Sequence, residues 1–110
     1  MSTTFQQKVY SLLLEIPQGR VTTYAILAQK LNLKAYQAIG RALRANLEPE
    51  TYPCYKVVKT NGEVGGYLGL EADNIAKKVQ KLEEEGIAIE HEKDIRFSRI
   101  VNLNNYLYHF

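Results

Sequence analysis

The residue with the clearest chemical potential in this sequence is its only cysteine, Cys54, which lies in the segment Pro53-Cys54-Tyr55-Lys56-Val57-Val58. A thiolate is a strong nucleophile, but a free thiol with a pKa of about 8.5 is mostly protonated at neutral pH. A nucleophilic role for Cys54 therefore requires a group that takes its proton. The alternative is that Cys54 is a small buried hydrophobic residue, the usual role of a lone intracellular cysteine.

The composition is that of an ordinary folded protein. The 110 residues favour a single domain, 1–110, and are 45% hydrophobic and 24% charged. The net charge of +2 does not by itself predict a nucleic-acid partner, so any basic surface must come from local clustering. A single cysteine excludes an intramolecular disulfide and favours a reducing compartment. With no membrane-length apolar run and no signal-peptide pattern, we expect a cytoplasmic protein, or a nuclear one in a eukaryote.

Apolar residues at helical spacing predict four helices. The predicted helices are Thr3–Glu15, a segment that begins after Thr22 or Thr23 and ends near Leu31, Ala35–Ala45 and Ala72–Glu85. The second and third are separated only by the short turn Asn32–Lys34, an arrangement typical of a helix-turn-helix.

A β-hairpin is predicted after the cysteine. Tyr55–Lys59 is strand-like, Asn61-Gly62 is a strong hairpin-turn signal, and Glu63–Tyr67 is a short return arm. In the tail, Ile87–Glu90 is expected to form a short strand, and Asn102–Phe110 a last turn or helix packed on the core. The predicted fold is therefore mostly α, a winged-helix-like helix-turn-helix domain with a short β-hairpin.

The third predicted helix carries Gln37, Arg41 and Arg44 on one outward face, and Lys34 lies just before it. Such a face is usually a solvated polar surface. The alternative is a recognition helix that offers cations to the phosphates of DNA.

The cysteine segment and the glycine-rich arm after it resemble the O6-alkylguanine-DNA alkyltransferase family. That family has Pro-Cys-His-Arg-Val-(Ile/Val), followed by Gly-x-(Val/Leu)-Gly-(Gly/Asn)-Tyr. At the same spacing this chain has Pro-Cys-Tyr-Lys-Val-Val at 53–58 and Gly-Glu-Val-Gly-Gly-Tyr at 62–67. Further matches are Pro17–Ala28, Arg41–Asn46, Lys78 and Leu82–Gly86. The resemblance covers about Phe5 to Gly86 and implies the DNA-binding and active-site domain without the N-terminal domain of many members.

The resemblance implies a mechanism. A recognition helix enters the minor groove of double-stranded DNA, and the O6-alkylguanine nucleotide is rotated out of the stack into a pocket. The cysteine, here Cys54, then takes the alkyl group irreversibly as a thioether. The implied protein is a single-turnover methylated-DNA–protein-cysteine methyltransferase that needs no cofactor and no metal, and we expect a monomer without membrane contact.

The same resemblance assigns roles to individual residues. Cys54 is the alkyl acceptor, and the residue after it relays the proton to Glu85. Asn46 forms a structural turn, and Lys78 supports the site near the cysteine. The residues implied to turn out or hold the base are Tyr24, Val58, Tyr67, Leu68, Gly69 and Lys78. The residues implied to contact DNA are Gln37, Arg41, Arg44 and Lys34.

The chain departs from the family pattern at functional positions. Tyr55 stands where the family has its relay histidine, and a phenol with a pKa of about 10 is a poor proton acceptor at pH 7. Gln37 stands where the family has an arginine that fills the gap left by the flipped base, and Leu68 where a small hydroxyl residue is common.

Three interpretations therefore stay open. The first is an active alkyltransferase. The second is an alkyltransferase-like protein, which binds the lesion without transfer and recruits nucleotide excision repair proteins. The third is a helix-turn-helix binding module in which Cys54 is only a buried hydrophobic residue.

Overall fold

Four α-helices carry most of the regular structure in the computed structural model, which describes residues 4–34, 36–67 and 71–110. The helices are α1 (Thr4–Leu13), α2 (Tyr24–Lys30), α3 (Gln37–Arg44) and α4 (Ala72–Glu84). The predicted mostly α, helix-turn-helix fold is confirmed, with helix ends within about two residues of the expected ones. Predicted boundaries at Thr3 and Ala35 lie outside the described residues.

Helices α1, α2 and α3 pack around one hydrophobic cluster because each has an apolar stripe at helical spacing. Val9 and Leu13 of α1, Leu27 of α2, and Ile39 of α3 are fully buried there. Cys54 belongs to the same cluster. The cysteine therefore sits at the edge of the core that fixes the relative positions of the three N-terminal helices.

The start of α2 is fixed by a side-chain cap. Thr23 has extended backbone angles, and its Oγ1 accepts a hydrogen bond from the Ile26 N–H at 3.1 Å. A threonine cap of this kind stabilises a helix by about 1 kcal/mol. The helix ends before Asn32, whose positive φ of 61° turns the chain toward α3.

Two short strands connect the cysteine segment to α2. Strand β1 (Thr22–Thr23) pairs in parallel with β2 (Val57–Val58), with Thr22 opposite Val57 and Thr23 opposite Val58. Because β1 leads directly into α2 and β2 follows the 3₁₀ turn Cys54–Lys56, this pairing holds Tyr24 and Cys54 in one region.

The predicted hairpin forms only its turn. The Gly62 N–H donates to the Lys59 carbonyl and the Lys59 N–H to the Glu63 carbonyl, both at 2.9 Å. The return arm does not pair with β2 as predicted. Glu63 instead bridges to Arg99, and the Val64 N–H donates to the Ser98 carbonyl at 3.0 Å. The reason is that β2 is already paired with β1, and the C-terminal tail supplies the backbone hydrogen-bond partners of the return arm.

The C-terminal tail closes the fold. Strand β3 (Ile89–Glu90) pairs antiparallel with β4 (Arg99–Ile100), which confirms a strand in the predicted region. The chain then makes the 3₁₀ turn Leu103–Asn105 and forms a bridge from Leu107 to Val21. The tail also packs apolar side chains on the core, as predicted; these are Leu103, Tyr106, Leu107, Tyr108 and Phe110.

None of the helices in the described ranges is both long and apolar enough to cross a membrane.

Candidate active site around Cys54

An open cleft of about 920 Å³ lies between α2, α3, the cysteine turn and the loop after β2. Cys54 reaches its wall and is 5% exposed. The described lining residues are Tyr24, Lys34, Tyr36, Gln37, Gly40, Leu43, Arg44, Cys54, Lys59, Thr60, Asn61, Gly66 and Tyr67. The cleft thus brings together the cysteine and several of the residues that the sequence nominated.

The environment of Cys54 favours the thiol form. Burial raises the pKa of the Cys54 thiol, while a hydrogen bond from Asn46 and the positive charge of Lys78 act to lower it. The net pKa shift is upward, so Cys54 reacts as a nucleophile only when a neighbouring group accepts its proton.

Lys78 lies behind the cleft wall with no exposed surface. Its Nζ donates to the Val57 carbonyl at 2.6 Å and to the Gly66 carbonyl at 3.1 Å. Burial lowers the pKa of Lys78 to about 7, and the negative charge that Cys54 carries as a thiolate acts to raise it. An amine that titrates near neutral pH is suited to accept a proton.

Tyr55, at the position of the relay histidine, contacts Glu85. Its hydroxyl donates a hydrogen bond to Glu85 Oε2. Burial and the Glu85 carboxylate together raise the pKa of Tyr55 well above its ordinary value. The phenol therefore keeps its proton at neutral pH and cannot accept the proton of Cys54.

Glu85 is also held by two further groups. Its Oε1 accepts a hydrogen bond from the Gly19 N–H at 2.8 Å and lies 3.3 Å from Lys56 Nζ. Lys56 is itself buried and donates to the carbonyls of Ile16 and Pro17 at 3.3 and 3.2 Å. The pair Tyr55 and Glu85 thus belongs to a network that ties the end of α4 to the turn after α1.

Two tyrosines project into the cleft with protonated hydroxyls. Burial, with a contribution from the charge of Cys54, raises the pKa of both Tyr24 and Tyr67 to about 12. Gly65 supports Tyr24 closely, because a Cβ at Gly65 would lie 3.2 Å from Tyr24 Oη. Because both hydroxyls keep their protons at neutral pH, each is able to donate a hydrogen bond to a ligand in the cleft.

The rim of the cleft is positively charged. Lys34, Arg44 and Lys59 line it, and no carboxylate occurs among the lining residues that the structure describes. Arg41 is exposed on α3 but does not belong to the described lining. Such a rim favours an anionic ligand.

Asn46 is a structural residue of the loop before the cysteine. It is 4% exposed, its Nδ2 donates to the Tyr52 carbonyl at 2.9 Å, and its Oδ1 accepts from the Glu48 N–H at 2.9 Å. The ring of Tyr52 stacks on Tyr10 with 5.0 Å between centroids. These contacts fix the path of the chain into Cys54.

Comparison with known proteins identifies the family. Residues 4–87 match the family model described as "6-O-methylguanine DNA methyltransferase, DNA binding domain". The chain belongs to this family of DNA repair alkyltransferases.

Curated relatives in this family are longer than the chain. A bifunctional methyltransferase/endonuclease of Picrophilus torridus is 40% identical over 88% of the chain and 32% of the relative. A methylated-DNA–protein-cysteine methyltransferase of Methanosarcina mazei is 39% identical over 77% of the chain and 53% of the relative. The chain therefore spans about a third to a half of the curated relatives named here.

Solved structures in the family include both transferases and a lesion-binding protein. S. pombe Atl1, in complex with damaged DNA containing O6-carboxymethylguanine, matches all of both chains with a TM-score of 0.83 and 25% identity. The O6-methylguanine-DNA methyltransferase of Pyrococcus kodakaraensis matches 77% of this chain and 47% of its own, with a TM-score of 0.68 and 37% identity.

The structure also locates the remaining residues that the alkyltransferase resemblance nominated. Val58 is fully buried beside Val21 and Val64 and is not part of the described cleft lining, because its pairing in β2 turns it into the core. Lys78 supports the wall from behind, while Leu68 and Gly69 lie outside the described residues.

Sequence reasoning missed several cleft residues, namely Tyr36, Lys59, Thr60 and Asn61. It also missed the buried Lys56. The signal that could have indicated its burial is its position next to Val57 and Val58 in a strand-like segment. The role of the loop 59–61 was hidden, because its residues were attributed to a hairpin turn.

Proposed function

We propose that this protein binds O6-alkylguanine in duplex DNA, rotates the nucleotide into the cleft and accepts the alkyl group on Cys54. The observation that carries the proposal is the position of Cys54 on the wall of a cationic cleft, with the buried amine of Lys78 behind that wall. A nucleophile, a proton acceptor and an anion-attracting rim then serve one reaction site.

The transfer step balances without a cofactor. Cys54 Sγ forms a bond to the alkyl carbon as the bond from that carbon to guanine O6 breaks, and the electron pair of the broken bond stays on the guanine. The thiol proton passes to the Lys78 amine, and the guanine gains a proton from solvent. The products are an S-alkyl cysteine and normal guanine, so each protein molecule acts once.

DNA contact in this proposal comes from the outward face of α3. Its residues Gln37, Arg41 and Arg44, together with Lys34, would approach the minor groove and its phosphates. Arg44 and Lys34 lie on the cleft rim, whereas Arg41 extends the positive surface beyond the cleft. A protein with this role works wherever the cell keeps its DNA, in the cytoplasm or the nucleus.

Recognition of the flipped base is assigned to the cleft wall. The protonated hydroxyls of Tyr24 and Tyr67 are donors that match the acceptor atoms of a guanine derivative.

A second candidate function is lesion binding without transfer, with recruitment of nucleotide excision repair proteins. Two observations favour lesion binding without transfer. The full-length match to Atl1 is with a protein in complex with damaged DNA, and Tyr55 holds its proton through Glu85 rather than acting as a base.

Mass spectrometry separates the two functions. After incubation with a duplex that contains O6-methylguanine, at a protein concentration that saturates binding, transfer predicts that the Cys54 peptide gains a methyl group in place of a proton. Cys54→Ser should bind the duplex and remain unmodified. An unmodified wild-type peptide at full occupancy would reject transfer and leave lesion binding. Equal affinity for damaged and undamaged duplexes would reject both functions.

A further inference from the structure

Tyr36 is a large aromatic residue placed at the mouth of the cleft. It immediately precedes α3, lines the same cleft as Cys54 and is 51% exposed. Among the described aromatic residues, no other ring stacks on it. The face of the ring is therefore available to a ligand.

Local structure does not account for a tyrosine at this position. Tyr36 is the N-cap of α3, where small polar residues are preferred because their side chains accept a hydrogen bond from the helix backbone. The Tyr36 side chain makes no such bond, and only its carbonyl serves the helix, by accepting from the Gly40 N–H at 3.0 Å. The aromatic ring thus adds nothing to the cap.

A flipped nucleotide leaves a gap in the base stack and costs a few kcal/mol of unstacking and unpairing energy. A side chain that stacks in the gap would offset part of that cost. Aromatic rings suit that task because they stack on the neighbouring bases, and apolar wedges at base steps are common in minor-groove binders. Gln37, the adjacent residue, has no aromatic face. Tyr24 is held inside the cleft, against Gly65.

We infer that Tyr36 enters the base stack and fills the space left by the flipped nucleotide, while Gln37 forms hydrogen bonds to the unpaired partner base. This inference rests on the proposed function, in either of its two forms, because both require the damaged nucleotide to leave the stack. It assigns to an aromatic ring the gap-filling task that the sequence had placed at Gln37.

The test compares equilibrium binding of wild-type protein, Tyr36→Ala and Tyr36→Phe to two duplexes that differ only in one O6-methylguanine. Tyr36→Ala should weaken binding to the damaged duplex about tenfold, the usual effect of losing one base–aromatic stack. Binding to the undamaged duplex should change less than about twofold, since no gap is present there. Tyr36→Phe keeps the ring and should retain wild-type binding to both duplexes.

A measurement of salt dependence adds a readout that a general loss of affinity would not reproduce. Tyr36→Ala should leave the slope of binding affinity against salt unchanged, because stacking releases no counterions.

Three results would overturn the inference: an unchanged preference of Tyr36→Ala for the damaged duplex, an equal loss of affinity for both duplexes, or an equal loss of affinity in Tyr36→Phe. If wild-type protein shows no preference for the damaged duplex, the proposed function fails as well. If wild-type protein shows that preference and Tyr36→Ala retains it, only the inference about Tyr36 fails.

Discussion

The hydroxyl of Tyr55, the residue that follows Cys54 in the chain, donates a hydrogen bond to the carboxylate of Glu85. In the alkyltransferase pattern this position holds a histidine that passes a proton toward the glutamate. Here the donor is a phenol whose raised pKa keeps it protonated. The hydrogen bond between residue 55 and Glu85 is therefore retained, but the side chain at residue 55 can no longer accept a proton.

The first prediction concerns this pair. Tyr55→Phe removes the hydrogen bond to Glu85 but no proton acceptor, so the transfer rate should stay within about twofold of wild type, while stability falls by about 1–3 kcal/mol. Tyr55→His should raise the rate, because an imidazole with a pKa of about 6.5 accepts protons at neutral pH. Single-turnover kinetics and urea unfolding measure the two effects. A large loss of rate in Tyr55→Phe would show that the phenol takes part in proton transfer.

The second prediction concerns Lys78 as the proton acceptor. With a pKa of about 7, the amine becomes available as pH rises through neutrality, so the transfer rate should increase between about pH 6 and 8. Lys78→Met keeps the length of the side chain and should remove that increase. Single-turnover rates across this pH range test it, and the same pH profile in wild type and Lys78→Met would assign the proton to another group.

Burial of Lys78 also predicts a pH dependence of stability. Its pKa is lowered from 10.5 to about 7 on folding, so above pH 7 the unfolded chain binds more protons at this residue than the folded protein does. Stability should therefore rise with pH over this range. The raised pKa of Cys54 works in the opposite direction above about pH 9, so the urea midpoint should be compared at pH 7 and 9. Lys78→Met should flatten the rise; an equal rise in both proteins would contradict the assignment.

A pair of glycine substitutions tests the support of Tyr24. Gly65 and Gly86 both have positive φ, 75° and 87°, so alanine is strained at either position by about 1 kcal/mol. A Cβ at Gly65 also meets Tyr24 Oη at 3.2 Å, whereas a Cβ at Gly86 meets no atom within 4 Å. Gly65→Ala should therefore weaken lesion binding and Gly86→Ala should not, although both lower stability. Equal binding by the two variants would show that the position of Tyr24 is unimportant.

The final prediction concerns α3. If Arg41 and Arg44 contact phosphates, alanine at either position should reduce the slope of log affinity against log salt by about 1, on damaged and undamaged DNA alike. Arg96 is a matched control, since it is exposed and paired with Asp94 away from the cleft. Arg96→Ala should leave the slope unchanged. An unaltered slope in Arg41→Ala and Arg44→Ala would remove α3 from the DNA interface.

The helices were predictable because helical periodicity is a local property that spacing such as Val9, Leu12 and Leu13 records directly. The pairing of β1 with β2 was not, because it joins two-residue strands more than thirty residues apart. The same limit explains the error at the return arm. Asn61-Gly62 correctly predicted a turn, but local turn chemistry contains no information about Arg99 and Ser98, which pair with the arm.

The candidate site shows the same difference between residues that a local pattern indicates and residues whose position depends on tertiary packing. Cys54, Tyr55 and Glu85 were nominated through a motif, and the structure brings Tyr55 and Glu85 into contact. Tyr36 carries no motif, and its position in the cleft depends on how α3 packs against the cysteine turn. The buried environment of Lys78, which determines its proton affinity, likewise results from tertiary packing rather than from its neighbours in sequence.

The family model ends at residue 87, yet the chain beyond it supplies backbone partners to the part that the model covers. The Tyr106 carbonyl accepts from the Val21 N–H at 2.8 Å, and the Tyr108 N–H donates to the Val21 carbonyl at 2.7 Å. Val21 leads into β1 and, through it, into the cap of α2. The segment that the family model covers is thus shorter than the unit that folds together, and a fragment cut at residue 87 would lose the backbone partners of the segment that leads into α2.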